Sequence, residues 1–164
     1  MKRIMLFTTG GTIAARPGPN GLLPSMAPEE LLAHLERYRP DCHFVGESLM
    51  EMDSSNVQPE EWKRIARRII QSMDDYDGFI ITHGTDTMGY TASALTFMLR
   101  NLRKSVVLTG SQLPIDHPLT DAITNLYTAA EAVVNEVPGV SVAFNRKIIR
   151  GCRAESEHHG LRCL

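Results

Sequence analysis

Four short polar segments carry the residue types from which a reaction site is made. Thr8, Thr9 and Thr12 surround Gly10 and Gly11 in "TTGGTIA", and His83, Thr85, Asp86 and Thr87 lie in "THGTDTMG". Thr109, Ser111 and Gln112 belong to "TGSQLP", and Asp53, Ser54, Ser55 and Asn56 to "MDSSNV". Singly, each has a plain reading: a tight Gly-Gly turn, a cap for a helix beginning near Met88, a turn ahead of Pro59. Together they narrow the chemistry. Glycine-rich turns expose N–H groups to phosphate, but the chain lacks G-x-x-x-x-G-K-[ST], and "TTGGTIAARPG" does not fit G-x-G-x-x-G. A metal site needs clustered His, Cys and carboxylates, whereas these segments offer mainly hydroxyls. What remains is a hydroxyl nucleophile attacking a carbonyl. Thr12 Oγ is the candidate, with N–H groups of the Gly10–Gly11 turn as an oxyanion pocket.

Such residues react only if the fold gathers them. Continuous apolar runs at 3–7, 78–84, 105–110 and 140–144 end at Gly or polar residues, as strands covered on both faces do, and 43–47 is a weaker candidate. Between them lie helical patterns over 28–38, from Pro59 to Met73, over 90–102 and over 121–134. Strands alternating with helices predict a three-layer α/β/α domain around a mostly parallel sheet. The polar segments then leave their strands at one edge, the carboxyl edge, where such sheets bind ligands. The segment 15–25, with three prolines and two glycines, reads as an open loop and a candidate lid.

Composition bounds the function further. A chain of 164 residues with 43% hydrophobic and 22% charged residues has the makings of one globular domain. A net charge of -2 argues against nucleic acid as partner, and no apolar run approaches the ~20 residues that span a bilayer. Three cysteines, an odd number, and an N-terminal apolar run of only Ile4 to Phe7 point to reduced thiols and a cytoplasmic location.

"TTGGTIA" and "HGTDTM", this far apart in an alternating α/β chain, resemble the N-terminal domain of bacterial L-asparaginases; "MDSSN" and "LTGSQLP" point to the cytoplasmic type I branch. The resemblance implies hydrolysis of L-asparagine to L-aspartate and ammonia without metal or organic cofactor, in proteins that at full length form homo-oligomers. It implies that Thr12 is the nucleophile, that Thr85 and Asp86 form the other half of the site, and that Asp86 holds the substrate ammonium. Asp53, Ser54 and Ser55 would contact the α-carboxylate and α-amino ends. Two alternatives stand beside it: a non-catalytic amino-acid-binding domain, and the ammonia-releasing component of a tRNA-dependent amidotransferase.

The chain departs from that pattern in three ways. No tyrosine lies in 8–30, and Leu22 stands where the lid tyrosine is sought. The family's smaller C-terminal domain is missing. The lysine that should follow "RGCR" is replaced by Ser156. Cys152, His158, His159 and Cys163 crowd the end of the chain, but "AESEHHGLRCL" has no apolar period to hold four metal ligands. With suitable codons, a shifted frame reads this tail as Lys-Val-Ser-Thr-Thr-Gly-Phe-Asp-Ala, which restores the lysine. The expectation is therefore an N-terminal α/β domain over 1–154 and an aberrant, frame-shifted tail over 155–164, loosely packed and without metal.

Overall fold

The structure, a computed structural model, describes residues 1–19, 21–24, 26–157 and 160–163, and for 17, 22–24, 156–157 and 160–163 the backbone alone. The first strand, β1 (Lys2–Gly10), leads through a 3-10 turn at Thr12–Ala14 into a hairpin of β2 (Ala15–Gly18) and β3 (Gly21–Pro24). Then follow α1 (Pro28–Tyr38), β4 (Cys42–Met52), a 3-10 turn at Ser54–Asn56, α2 (Pro59–Gln71) and β5 (Gly78–Thr82). The chain continues through α3 (Met88–Met98), β6 (Ser105–Thr109), α4 (Ala122–Val134), β7 (Gly139–Phe144) and β8 (Lys147–Arg150). It closes with β9 (Ala154–Glu157) and β10 (Gly160–Cys163).

Six strands form one sheet in the order β4-β1-β5-β6-β7-β8. The first five run parallel, and β8 turns back antiparallel on β7. Strand β5 is wholly buried (Gly78 to Thr82), as is β6 (Ser105 to Thr109), which is why both read as unbroken apolar runs. One face packs Met5, Phe7, Phe79, Ile81 and Val106 against α2 and α3. The other packs Ile4, Leu6, Ile80 and Val107 against α1 and α4. The alternation of β1 and β5 residues between the two cores is the period of two expected of a strand.

From β5 to β6 and from β6 to β7 the chain steps the same way across the sheet, yet α3 and α4 lie on opposite faces. The two crossovers therefore have opposite hand. The crossover through α2 agrees with that through α3, and the strong preference for right-handed units marks β6-α4-β7 as the exception. A buried side chain secures it. Asn125 on α4, 1% exposed, donates Nδ2–H to Gly110 O at 2.9 Å and accepts the Asn145 N–H at 2.8 Å. It thus fastens the ends of β6 and β7 to the helix between them.

Three segments differ from the sequence reading. Within 15–25, Ala15–Gly18 pairs antiparallel with Gly21–Pro24 rather than standing open; the Asn20-Gly21 dipeptide of the sequence was the available signal, outweighed by the prolines. Strand β8 carries only two apolar residues, too few to register as a run, and follows a tight turn with Asn145 and Arg146 both at positive φ (48° and 60°). The tail forms a second hairpin, with β9 paired to β10 and lying against α3, where Ala154 O approaches Gly89. His158 and His159 lie outside the described residues; among those described, no group of three His, Cys, Asp or Glu is placed to hold a metal. No described helix is long and apolar enough to cross a membrane.

Replacing Asn125 by the near-isosteric leucine strips Gly110 O and Asn145 N–H of their partner. Gly110 O is buried, and a buried group left unpaired costs about 1–3 kcal/mol, so urea unfolding of Asn125→Leu is expected at a clearly lower midpoint, with an unchanged dependence on urea concentration.

Candidate active site

In strand order β4-β1-β5 the connections run from β1 outward to β4 and then back across β1 to β5. The direction in which the connections step across the sheet reverses there, and the carboxyl ends at such a switch point leave a crevice. The residues that follow β4, β1 and β5 line one half-open cleft of about 150 Å³: Gly11 and Thr12, then Met52, Asp53 and Ser54, then Gly84, Thr85 and Asp86, with Ala15 from the root of the hairpin.

Glycines allow three chain segments to meet this closely. Gly11 has φ +81°, and a Cβ there would sit 2.6 Å from Gly84 N. A Cβ on Gly84 would in turn sit 2.6 Å from Ser54 Cβ. Thr12 opens the 3-10 turn directly after this contact and is half-buried. Thr87, at the N-cap position of α3, makes no side-chain capping bond and donates its hydroxyl to Ser54 O at 2.8 Å, so α3 is tied sideways to the β4 end.

Asp53 and Asp86, both exposed, give the cleft two carboxylates; no basic side chain is among its described lining residues. Asp53 Oδ1 accepts from the Ser55 N–H at 2.8 Å and from the Ser55 hydroxyl at 2.7 Å. Those two bonds hold the Asp53 carboxyl below its ordinary range and keep it ionised. Ser55 is absent from the cleft wall; its hydroxyl serves Asp53.

Other residues singled out from the sequence are drawn elsewhere. Thr9 donates to Thr82 O at 2.7 Å, Thr109 to Ala143 O at 2.9 Å, and Ser111 to Leu113 O. Gln112 gives its N–H to Asp121. The segment "TGSQLP" thus builds the entry to α4 rather than the cleft. His83 is also turned inward, 1% exposed. Its Nδ1 lies 2.8 Å from Gly84 O, which only accepts, so Nδ1 carries the proton. Nε2 therefore accepts the Thr91 hydroxyl at 2.9 Å, and Thr91 Oγ1 accepts the Trp62 indole N–H at 3.0 Å. This directed chain from α2 through α3 pins Gly84, whose neighbours Thr85 and Asp86 form the cleft wall. The sequence carried a hint of it: a histidine at the end of an apolar strand, with a threonine in the first turn of the helix that follows.

Comparison with known proteins identifies the family. Residues 3–160 match the model of the family described as Asparaginase, N-terminal. The chain belongs to the asparaginase family. It is 41% identical over 157 residues to an L-asparaginase of Thermococcus kodakarensis, covering 95% of this chain and 48% of that protein. It is 42% identical over 165 residues to L-asparaginase 1 of Escherichia coli strain K12, covering 96% and 48%. The solved thermostable L-asparaginase from Thermococcus kodakarensis superposes with a TM-score of 0.90 at 38% identity, over 99% of this chain and 51% of that one. L-asparaginase I from Vibrio cholerae does so at 0.88 and 38%, over 99% and 51%. This asparaginase-family chain thus spans about half the length of the relatives it matches.

Burial pushes the His83 pKa below its ordinary value of 6.5, the Gly84 carbonyl opposing in part. In the unfolded chain the imidazole takes a proton near pH 6.5; in the fold it stays neutral to lower pH. Its share of stability is therefore full above about pH 6.5 and is lost as pH falls below it, by up to about 1.4 kcal/mol per pH unit. Urea unfolding between about pH 7 and pH 5 should show this slope, and His83→Gln should flatten it. Gly11→Ala, which forces a Cβ onto Gly84 at a positive φ, is expected to lower stability by roughly 1–3 kcal/mol, read from its thermal unfolding.

Proposed function

We propose that this domain carries the asparagine-hydrolysing half-site of a cytoplasmic asparaginase. The observation that supports the reading is the convergence of Thr12, Asp53, Ser54, Thr85 and Asp86 on one cleft at the β1/β5 switch point. Their types suit an amino-acid substrate. Two carboxylates favour an ammonium group, while hydroxyls and N–H groups are left for the carboxylate and the side-chain amide. Thr12 Oγ attacks the amide carbon, and its proton passes to the amide nitrogen. The C–N bond breaks and the protonated nitrogen departs as ammonia. Water then cleaves the resulting ester, releasing L-aspartate and restoring the threonine. Asp86 holds the ammonium end, Thr85 orients the attacking hydroxyl or water, and Asp53 with Ser54 fixes the remaining end; Ser55 acts through Asp53.

The described lining of the cleft supplies no base for Thr12. In the resemblance that base is a lysine at the position of Ser156, on β9, the strand that lies along α3 just beyond Asp86. The chain is accordingly read as competent to bind and poor at turnover. The amidotransferase alternative also has relatives: a component of the Glutamyl-tRNA(Gln) amidotransferase of Thermococcus kodakarensis is 39% identical over 145 residues, 87% of this chain. The higher identity and wider coverage of the asparaginases favour the first reading.

Calorimetry with L-asparagine and L-aspartate, run beside an ammonia-release assay, tests it. The chain should bind both ligands, and Asp86→Asn should weaken binding by about 1.5–3 kcal/mol, the worth of a hydrogen bond to a charged group. Ser156→Lys should raise ammonia release, and adding Thr12→Ala should remove that gain while leaving the fold intact. Release that persists without the Thr12 hydroxyl would overturn the nucleophile assignment.

A further inference from the structure

The hairpin beside the cleft is held by different forces at its root and along its arm. At the root Ala14 and Ala15 are buried, and the Met26 N–H reaches Ala14 O at 3.0 Å while its side chain joins the core under α1 and α4. Beyond the root, pairing runs from Ala15 opposite Pro24 to Gly18 opposite Gly21. A two-stranded ribbon of this length is marginally stable by itself in water. Among the described residues one side chain ties the arm to the body by charge. The Arg16 guanidinium pairs with Glu30 on α1, and its Nε lies 3.8 Å from Asp116 Oδ2 in the segment between β6 and α4. The side chains are 45%, 41% and 66% exposed, which leaves the contact weak and open to screening by salt. Glu30 lies in the first turn of α1, where the helix N-terminus favours a carboxylate, so it stays in place whether or not Arg16 engages it.

We infer that Arg16 is a positioning residue: by tethering the hairpin to α1 and to the β6–α4 segment it sets the wall formed by Ala15, and with it the affinity of the cleft for its amino-acid ligand. Ala15 lines the cleft and adjoins Arg16, and Thr12 lies one 3-10 turn earlier, so a displacement of the arm is felt at both. The inference rests on the cleft being the substrate site, as proposed above.

The test uses the full 164-residue chain, Arg16→Gln and Arg16→Lys, each at about 0.01 M and about 1 M salt. Hydrogen exchange of the backbone amides in 15–23 reports the arm; calorimetric titration with L-aspartate reports the cleft. In low salt Arg16→Gln should speed exchange and weaken L-aspartate binding by roughly two- to fivefold, with the unfolding midpoint unchanged. Arg16→Lys, which keeps the charge but not the fork, should recover part of both losses. In high salt the three proteins should converge. Unchanged exchange in Arg16→Gln, or an affinity loss that high salt does not erase, would overturn the inference. If the unsubstituted chain fails to bind L-aspartate, the functional reading falls, and the exchange measurement alone decides whether the tether exists.

Discussion

The close approach of three chain segments at Gly11, Gly84 and Ser54 is the constraint on which the rest depends. With the backbone of Gly11 against Gly84 and that of Gly84 against Ser54, no side chain fits between them. That contact brings the ends of β4, β1 and β5 within reach of one small ligand. It also explains why so much of the surrounding polarity serves structure. Thr87 bridges to Ser54, His83 grips Gly84, and Asp53 is braced by Ser55, each holding one side of the junction. The polar residues that line the cleft are Thr12, Asp53, Ser54, Thr85 and Asp86.

Most of this organisation was legible in the sequence because strands buried on both faces leave unbroken apolar runs. The runs at 3–7, 78–84, 105–110 and 140–144 became β1, β5, β6 and β7, and the four amphipathic patterns became α1 to α4. Strand β4 was faint since it is the sheet edge, with exposed residues interrupting the buried ones. Strand β8 and the two hairpins escaped because short antiparallel ribbons are fixed by turn geometry rather than by hydrophobic runs. Within the site, residue types alone could not tell a hydroxyl that faces a ligand from one spent on a carbonyl. Thr12 and Thr9 stand in the same motif, yet Thr9 is buried and bonded to Thr82 O. Ser54 and Ser55 are neighbours with opposite fates.

The hand of the β6-α4-β7 crossover was not legible at all, since helix and strand patterns read the same for either hand. Packing supplies the reason for it. The chain has two helices for each face of the sheet only because α4 joins α1 rather than α2 and α3. The usual hand would leave Val107 and Ala143 without a covering helix, exposing apolar surface that a folded chain normally hides.

That same choice of side fixes what borders the cleft. The segment leaving β6 must travel toward the face where α4 sits, the face shared with α1, and on its way it carries Asp116 to Arg16. Were the crossover mirrored, the segment would depart toward α2 and α3, and the hairpin would keep Glu30 as its sole anionic neighbour of the two. A topological decision made by a helix between the last parallel strands thus reappears, far along the chain, as the electrostatic mooring of the segment beside Thr12.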